Sequence, residues 1–173
     1  MEDKITIITD APGFAEINAR FYLRLAKVDE IQAIKEICDQ APYDSWPIER
    51  YHEVFEHGLT TIVICDRELT NRADNNIVGY LIYLLCLDEG RIINFAIDHN
   101  YQRLGLGREL MLYSLRHIQQ QNINYALLDV RVSNFAAINL YTQMGFRILC
   151  TRRNHYTDIV NCDAYFMQLD LNG

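Results

Sequence analysis

A strand followed by a glycine-containing loop and a helix is the feature that most restricts the fold of this chain. Residues 91–97 are rich in apolar and β-branched side chains, which predicts a strand. The loop after it contains Gln102, Arg103, Gly105 and Gly107, and apolar residues then recur with helical spacing. The first N–H groups of a helix lack backbone partners, and glycine lets a ligand approach them closely. The arrangement therefore predicts an anion site.

The spacing within this loop narrows the class of anion site. Gln102-x-x-Gly105-x-Gly107 is neither the Walker A pattern nor the dinucleotide-binding fingerprint. We expect the N–H groups of residues 104–108 to point at the anion, at the positive end of the helix. An ordinary strand–helix turn also explains two glycines, so the loop alone does not decide between a binding site and a turn.

The order of predicted elements indicates a mixed sheet with helices on both faces, that is, an α/β (α+β) class. An antiparallel meander comes first and crossover units follow. The patterns predict seven strands, at 21–26, 59–65, 77–87, 91–97, 125–132, 146–151 and 164–169. They predict helices at 28–40, 47–56, 105–120 and 134–144, a possible short strand at 4–9 and a loop at 155–163.

Length and composition favour a single compact domain in a reducing compartment. Half of the 173 residues are apolar, which suffices for a real core. The sequence shows no pattern typical of a signal peptide or a transmembrane span, so we expect a cytoplasmic protein. The sequence contains five cysteines: Cys38, Cys65, Cys86, Cys150 and Cys162. They have no C-x-x-C spacing, which argues against a zinc site. Three of them lie in apolar strand-like runs, which favours buried free thiols.

The charge is unevenly distributed along the chain. The net charge of −7 argues against a general nucleic-acid binder. Residues 1–100 carry 9 Lys and Arg against 18 Asp and Glu, whereas residues 101–153 carry 7 Arg against 2 acidic residues. The basic band thus coincides with the predicted anion site, which suits an anionic cofactor and a cationic substrate. The alternative is a random split of solvated surface charges.

A second stretch carries further polar residues at a strand–helix junction. Asp129 lies near the end of a predicted strand, and Asn134 opens the next helix. Tyr141 follows Asn134 by seven residues, so the two side chains share one helix face. Gly145 is a plausible left-handed cap at the end of that helix. The plainer interpretations are an asparagine cap and a core tyrosine.

Together the two stretches resemble the GCN5-related N-acetyltransferase (GNAT) superfamily. Residues 102–107 match its pyrophosphate signature, and 134–146 match its second cofactor segment. The segments 95–107, 129–134 and 152–156 are most similar to bacterial ribosomal-protein-alanine N-acetyltransferases. The resemblance implies a mostly antiparallel sheet, splayed between the strands at 91–97 and 125–132. It leaves residues 1–20 as an extension without an assigned role, before a single domain at 21–173.

The resemblance also implies acetyl-CoA as cosubstrate and names the residues that bind it. The backbone around Phe95, Ala96 and Ile97 would pair with the pantetheine arm, and Asn134 would hold it. Tyr141 would contribute to cofactor binding and protonate the departing thiolate, which is a modest base. The pyrophosphate would rest on the loop and the first helical turn, at Gln102, Arg103, Leu104, Gly105, Leu106, Gly107 and Arg108.

Two carboxylates are candidates for the general base that deprotonates the attacking amine. The alanine-acetylating family has a glutamate at the position of Asp129, and aspartate shortens the reach of the carboxylate by one methylene group. Asp129 could act through a water molecule, or Glu89, in the turn before the splayed strand, could replace it. The structural alternative is that Asp129 is simply a strand-end carboxylate paired with Arg131 or Arg153.

The resemblance implies direct acetyl transfer to a primary amine, with the N-terminal alanine of a ribosomal protein as the leading candidate. Trp46 and Tyr156 would line the substrate entrance, and His155 precedes Tyr156 in the sequence. The expected substrate is a basic protein or peptide amine, and no metal, nucleic acid or membrane is expected as partner. The alternatives are a lysine or small-molecule acetyltransferase and a non-catalytic acetyl-CoA-binding module.

Overall fold

The computed structural model describes residues 8–11, 14–41, 45–69, 76–156 and 162–172, and these contain nine strands and four α-helices. The strands are β1 (Ile8–Ala11), β2 (Phe14–Glu16), β3 (Phe21–Leu25), β4 (Thr60–Asp66), β5 (Ile77–Cys86), β6 (Glu89–Ile97), β7 (Tyr125–Arg131), β8 (Arg147–Tyr156) and β9 (Cys162–Asp170). The helices are α1 (Ile31–Cys38), α2 (Ile48–Glu56), α3 (Leu106–Gln119) and α4 (Phe135–Gln143). Short 3-10 helices span Val28–Glu30 and His99–Tyr101.

The chain divides into two compact units, and each is described by itself. The first comprises Met1–Ile82 and Asn94–Ser114, and the second comprises Tyr83–Ile93 and Leu115–Gly173. In the first unit the strands are hydrogen-bonded in the order β1-β2-β3-β4-β5-β6, and in the second in the order β6-β7-β9-β8. Strands β1 to β4 are antiparallel to one another.

The core of the first unit forms where α1 and α2 pack against β4 and β5. Apolar residues of α1 recur at helical spacing, so Ile31, Ile34 and Ile37 share one face, and all three are buried. This face belongs to one apolar cluster with the fully buried Tyr51 of α2 and Tyr80 of β5. Burial of this apolar surface is the main stabilising contribution in the first unit.

A buried carboxylate at the end of β4 joins three segments of the first unit. Asp66 is fully buried and accepts hydrogen bonds from Nε and Nη2 of Arg20, at 3.0 and 2.7 Å. It also accepts from the Glu68 amide at 2.9 Å and from the Tyr101 hydroxyl at 3.0 Å. Burial raises the pKa of Asp66, but the hydrogen bonds from Arg20, Glu68 and Tyr101 outweigh it, so the pKa lies below its ordinary value.

The second unit is built on a four-strand sheet with one parallel junction. β6 pairs in parallel with β7 from Glu89–Tyr125 to Ile92–Leu128, and β9 is antiparallel to both β7 and β8. The described pairing of β6 with β7 ends at Ile92 and Leu128, inside the two strands between which the sequence predicts a splay. Gly90 faces α3 so closely that an added Cβ would lie 2.5 Å from Ile118. The other face of this sheet carries Asp129.

The predicted fold class is confirmed, with two corrections to its details. The sequence predicts about seven strands, whereas the described residues contain nine, because β1 and β2 add to β3 from the segment before residue 21. Residues 4–7 of the short strand predicted at 4–9 lie outside the described residues. The predicted loop at 155–163 is also wrong in part, because β8 continues to Tyr156 and pairs with Cys162 of β9. Residues 157–161 lie outside the described residues.

The predicted burial of the strand cysteines is only partly right. Cys38 and Cys65 are buried, and burial raises the pKa of the Cys65 thiol to about 11. Cys86 and Cys150 are exposed, because Cys86 lies in the exposed last residues of β5 and Cys150 lies on β8, whose residues are nearly all exposed. Among the described residues no helix is long and apolar enough to cross a membrane.

Asp66→Asn tests the contribution of the buried carboxylate. We expect the free energy of unfolding at pH 7 to fall by about 2 kcal/mol, because charge-assisted hydrogen bonds are lost in a buried position. Urea denaturation measures the change. Glu68→Gln is the matched control: its carboxylate is exposed, so the substitution should change stability by no more than about 0.5 kcal/mol. Equal effects of the two substitutions would contradict this assignment.

The difference in unfolding free energy between the wild type and Asp66→Asn should also depend on pH. Because the pKa of Asp66 is lowered in the folded state, its stabilisation is fully present above the unfolded-state pKa of about 4 and is lost as the pH falls through the folded-state value. The stability difference between wild type and Asp66→Asn should therefore narrow below about pH 4. Denaturation at pH 7, 4 and 3 measures it, and a constant difference would contradict the assignment.

Candidate functional site

The glycine loop of the first unit begins at an anchored aspartate. Asp98 is buried and caps the 3-10 helix by accepting hydrogen bonds from the Asn100 amide at 2.9 Å and its side chain at 3.1 Å. Gln40, just after α1, donates to Asp98 at 3.1 Å and accepts from the His99 amide at 2.8 Å. Burial raises the pKa of Asp98, but these hydrogen bonds outweigh it and hold the pKa below its ordinary value. The start of the loop is therefore fixed to the core.

The loop itself uses two left-handed residues before α3. Arg103 has φ 63° and Gly105 has φ 79°, so the chain reverses sharply and enters the helix at Leu106. The Gly105 carbonyl accepts from the amides of Arg108 and Glu109 at 3.0 and 3.2 Å. An added Cβ at Gly105 would meet nothing within 4 Å, so glycine is needed there for its φ rather than for space.

The side chains of the predicted loop residues differ in their surroundings. Gln102 turns back and donates from Nε2 to the Ile97 carbonyl at 3.2 Å. Leu104 is exposed and Leu106 is buried in the core. Arg108 is exposed, and its guanidinium lies 3.7 Å from Glu109. The loop thus offers backbone N–H groups and an exposed arginine at a helix N-terminus, which suits a phosphate group.

Four further predicted site residues of the first unit, three on β6 and one tryptophan, are half-buried. Phe95, Ala96 and Ile97 form the end of β6, and Ala96 packs against the α1–α2 core cluster. Trp46 packs on Tyr51 with ring centroids 5.5 Å apart, and the Arg50 guanidinium lies 4.3 Å from the Trp46 ring centroid. Trp46 is therefore held in place by its neighbours.

In the second unit, the structure gives Asn134 a capping role. Its Oδ1 accepts a hydrogen bond from the Ala137 amide at 3.1 Å, which is the plainer of the two predicted interpretations. The cap uses only Oδ1, so the two Nδ2 donors are not needed for it. Tyr141 is buried on the same helix, with its ring 5.8 Å from the ring of Phe146. Gly145 ends the helix with φ 95°, as the sequence predicts.

Asp129 is the carboxylate with the most distinctive environment in the second unit. Its side chain is 9% exposed, and Oδ2 accepts hydrogen bonds from Arg91 Nη2 at 2.6 Å and Arg152 Nη1 at 3.1 Å. Oδ1 lies 3.0 Å from Arg152 Nη1 but, among the described residues, accepts no hydrogen bond. Buried polar atoms are usually hydrogen-bonded, so Oδ1 is the atom of this cluster to which a water or a ligand could donate a hydrogen bond.

The partners of Asp129 differ from those that the sequence suggests. The structural alternative proposes Arg131 or Arg153 as the paired residue, whereas Arg91 and Arg152 form the ion pairs. Sequence reasoning missed both, because Arg91 is on another strand and Arg152 falls where no strand is predicted. His155 Nε2 also lies 4.0 Å from Asp129 Oδ2. Three strands therefore contribute to this cluster.

Glu89 lies at a different level of the sheet from Asp129. It pairs with Tyr125 at the start of the β6–β7 junction, and Asp129 is four residues further along β7. At about 3.3 Å per residue this separates the two levels by about 13 Å. Glu89 is exposed. Glu89 and Asp129 are therefore too far apart to contact the same substrate atom.

Tyr156 lies beside Asp129, as a residue of β8. Its hydroxyl donates to the Asp129 carbonyl at 3.3 Å, and the Arg131 guanidinium lies 3.9 Å from its ring centroid. The His155 ring meets the Tyr156 ring edge-on at 4.9 Å. In the described part of the chain no group of three or more His, Cys, Asp or Glu residues could hold a metal ion.

Comparison with known proteins places the chain among N-acetyltransferases. Residues 31–146 match the model of the acetyltransferase (GNAT) family. A curated relative named [ribosomal protein bS18]-alanine N-acetyltransferase, from Salmonella typhimurium, is 37% identical over 133 residues, covering 74% of this chain and 90% of the relative. N-alpha-acetyltransferase daf-31 of Caenorhabditis elegans is 30% identical over 156 residues, covering 86% of this chain and 82% of the relative.

Solved structures agree with these relatives. The ribosomal-protein-S18-alanine N-acetyltransferase of Escherichia coli superposes with a TM-score of 0.76 and 26% identity, covering 87% of this chain and 94% of that one. Arabidopsis thaliana NAA60 in complex with acetyl-CoA shares the fold, with a TM-score of 0.79 and 16% identity, covering 88% and 99%. The predicted family and enzyme class are confirmed: the chain belongs to the acetyltransferase (GNAT) family and is an N-acetyltransferase.

Proposed function

We propose that the chain transfers the acetyl group of acetyl-CoA directly to the N-terminal α-amine of a protein, with the N-terminal alanine of a ribosomal protein as the leading substrate. The observation that carries the proposal is the 37% identity, over 90% of its length, to an enzyme named for the alanine of ribosomal protein bS18. Acetyl-CoA supplies an activated acetyl group as a thioester. The compartment we propose is the cytoplasm.

The loop and helix start of the first unit bind the pyrophosphate in this proposal. The left-handed Arg103 and Gly105 turn the N–H groups at the start of α3 outwards, where the helix dipole favours an anion. Arg108 adds an exposed positive charge. The backbone of residues 95–97 pairs with the pantetheine arm, and Asn134 donates to it from Nδ2.

The proposed chemistry needs one proton donor and one acceptor. Tyr141 donates a proton to the departing thiolate of CoA. Because its hydroxyl is a proton donor within the protein, the thiolate does not depend on a proton from bulk water. Asp129 accepts the proton of the amine, directly or through a water, at Oδ1, which has no hydrogen bond among the described residues. Glu89 remains the alternative base proposed from the sequence, and Tyr156 and Trp46 line the substrate entrance.

Acetylation of peptides distinguishes the proposed function from its alternatives. Peptides that begin with alanine or serine, and a peptide with a blocked N-terminus and one lysine, are incubated with acetyl-CoA, and product is followed by mass spectrometry. We expect acetylation of the alanine α-amine. Acetylation of lysine or of small amines alone would favour the second enzyme function. Tight acetyl-CoA binding with no turnover on any amine would favour a non-catalytic binding module.

Gly105→Ala tests the pyrophosphate loop. Alanine at φ 79° costs about 1–2 kcal/mol of backbone strain, so a shift of the loop should weaken acetyl-CoA binding, measured by calorimetry, about tenfold. Gly58→Ala is the matched control, because Gly58 also has positive φ, 70°, and open space around an added Cβ. Both substitutions should lower stability by a similar amount. Equal acetyl-CoA affinities in the two variants would contradict the assignment.

Tyr141→Phe tests the proton donor. We expect kcat to fall about 100-fold while the Kd for acetyl-CoA changes less than about twofold, since only the hydroxyl is removed. Steady-state kinetics and calorimetry on the same preparations measure the two quantities. An unchanged kcat would remove Tyr141 as the acid.

Asp129→Asn and Glu89→Gln identify the base. Without its base the enzyme depends on amine that is already neutral in solution, so the rising limb of the rate–pH profile should shift to higher pH. We expect this shift for Asp129→Asn and an unchanged profile for Glu89→Gln, which lies about 13 Å away along the sheet. A shift in the Glu89 variant alone would reverse the assignment.

A further inference from the structure

A row of polar groups crosses the apolar core of the first unit and ends at Asn94 of β6. Tyr51 of α2 and Tyr80 of β5 are fully buried among apolar side chains. Their hydroxyl oxygens lie 3.5 Å apart, and the Tyr80 hydroxyl donates a hydrogen bond to Asn94 Oδ1 at 2.8 Å. Since a tyrosine hydroxyl has one proton, Tyr51 is the donor in the contact between the two hydroxyls. We call Tyr51, Tyr80 and Asn94 the polar row.

The polar row fixes which side of the Asn94 amide faces the core. Burial raises the pKa of Tyr80, so its hydroxyl keeps its proton and remains a donor. Asn94 Oδ1 is therefore held as the acceptor, and Nδ2 on the other side of the amide carries two N–H donors. Nδ2 makes no hydrogen bond among the described residues, and the Asn94 side chain is only half-buried. The amide donors of Asn94 are therefore available to a ligand.

The proposed cofactor geometry brings the reacting group to the level of Asn94. In that proposal the pyrophosphate lies on the loop at 102–108, and the pantetheine arm runs back along β6 from residue 97 to residue 95. The thioester at the end of the arm then lies beside Asn94, which is the next residue of the strand. Asn94 is also two residues past Ile92, where the described pairing of β6 with β7 ends. The amine substrate therefore meets the acetyl group at this level of β6.

The other end of the polar row leads to the proposed substrate entrance. Tyr51 packs on Trp46, with ring centroids 5.5 Å apart, and the Tyr51 and Tyr80 rings meet edge-on at 6.5 Å. Trp46 and Asn94 thus contact the same pair of tyrosines, on the side of the sheet where α1 and α2 pack. A substrate that enters past Trp46 approaches the Asn94 amide from this side.

From these contacts we propose that Asn94 binds the substrate, by donating a hydrogen bond from Nδ2 to the carbonyl oxygen of the residue whose α-amine is acetylated, and that Tyr80 positions the Asn94 amide. The inference rests on the proposed function. The attacking amine needs a free lone pair, so the amide donor requires a different acceptor. In a protein N-terminus the carbonyl carbon is two bonds from the amine nitrogen. A lysine side chain has no carbonyl at that position, so Asn94 favours α-amines.

Asn94→Ala tests the contact with the substrate. We expect KM for a peptide that begins with alanine to rise about 3- to 10-fold, as the loss of one hydrogen bond allows, while the Kd for acetyl-CoA changes less than about twofold. Asn76→Ala is the matched control, because Asn76 is also half-buried in the first unit and donates from Nδ2 to the Tyr22 hydroxyl at 2.8 Å. It should leave KM unchanged. Equal KM values in the two variants would overturn the inference.

A single-atom change in the substrate identifies the acceptor. The first carbonyl oxygen of the same peptide is replaced by sulfur, which is a weaker hydrogen-bond acceptor. The wild type should use the sulfur peptide about threefold less efficiently, measured as kcat/KM, whereas Asn94→Ala should not distinguish the two peptides. A fall in kcat for Asn94→Ala, with unchanged KM and unchanged discrimination, would place the donor at the acetyl group and overturn the inference.

Tyr80→Phe tests the positioning of the amide. The phenylalanine ring keeps the apolar packing, but the amide of Asn94 loses the donor that holds its orientation. We expect KM for the alanine peptide to rise about two- to threefold in the otherwise wild-type protein, and not to rise further in Asn94→Ala, because the two residues act through one contact. Equal increases in both backgrounds would overturn the role of Tyr80.

Failure of this inference is distinguishable from failure of the proposed function. If the alanine peptide is acetylated and Asn94→Ala leaves its KM unchanged, the function stands and the inference is wrong. The inference is also wrong if a lysine ε-amine is acetylated with the same dependence on Asn94. If the wild type binds acetyl-CoA and acetylates no α-amine, both are wrong.

Discussion

The buried carboxylate of Asp66 is the interaction on which the geometry of the first unit depends. It joins Arg20 before β3, the end of β4 and Tyr101 in the 3-10 helix that leads to the glycine loop. A second buried carboxylate, Asp98, ties the start of that loop to Gln40 after α1. Because a buried charge is stable only when its hydrogen bonds are made, each group constrains the segments that contact it. The segment that leads to the left-handed turn at Gly105 is therefore held in place.

In the second unit, Asp129 has the corresponding role, with a different balance of charge. Two guanidinium groups neutralise it, which draws β6, β7 and β8 together on one face of the sheet. Among the described residues, the same contacts leave one carboxylate oxygen without a hydrogen bond. The proposed proton acceptor is therefore also the residue that holds the ion pairs of this sheet face.

Local patterns in the sequence predicted much of this architecture. The helix at α3, the asparagine cap at Asn134 and the left-handed Gly145 follow from spacing and backbone preferences, and the structure has each of them. The continuation of β8 to Tyr156 was missed, because its residues are mostly exposed and polar, without the alternation that marks a half-buried strand. Its strand conformation comes from pairing with β9, and no pattern within β8 itself signals that pairing.

The sequence by itself determined the family, the glycine loop and the identities of the candidate residues, since these depend on residue types at fixed short spacings. Only the tertiary structure decided which residues surround Asp129. The nearby arginines in sequence, Arg131 and Arg153, were the expected partners, yet Arg91 and Arg152 form the ion pairs. Strand register, rather than distance along the chain, sets which side chains share a face and a level of the sheet. That register depends on hydrogen bonds between strands, which no single stretch of sequence contains.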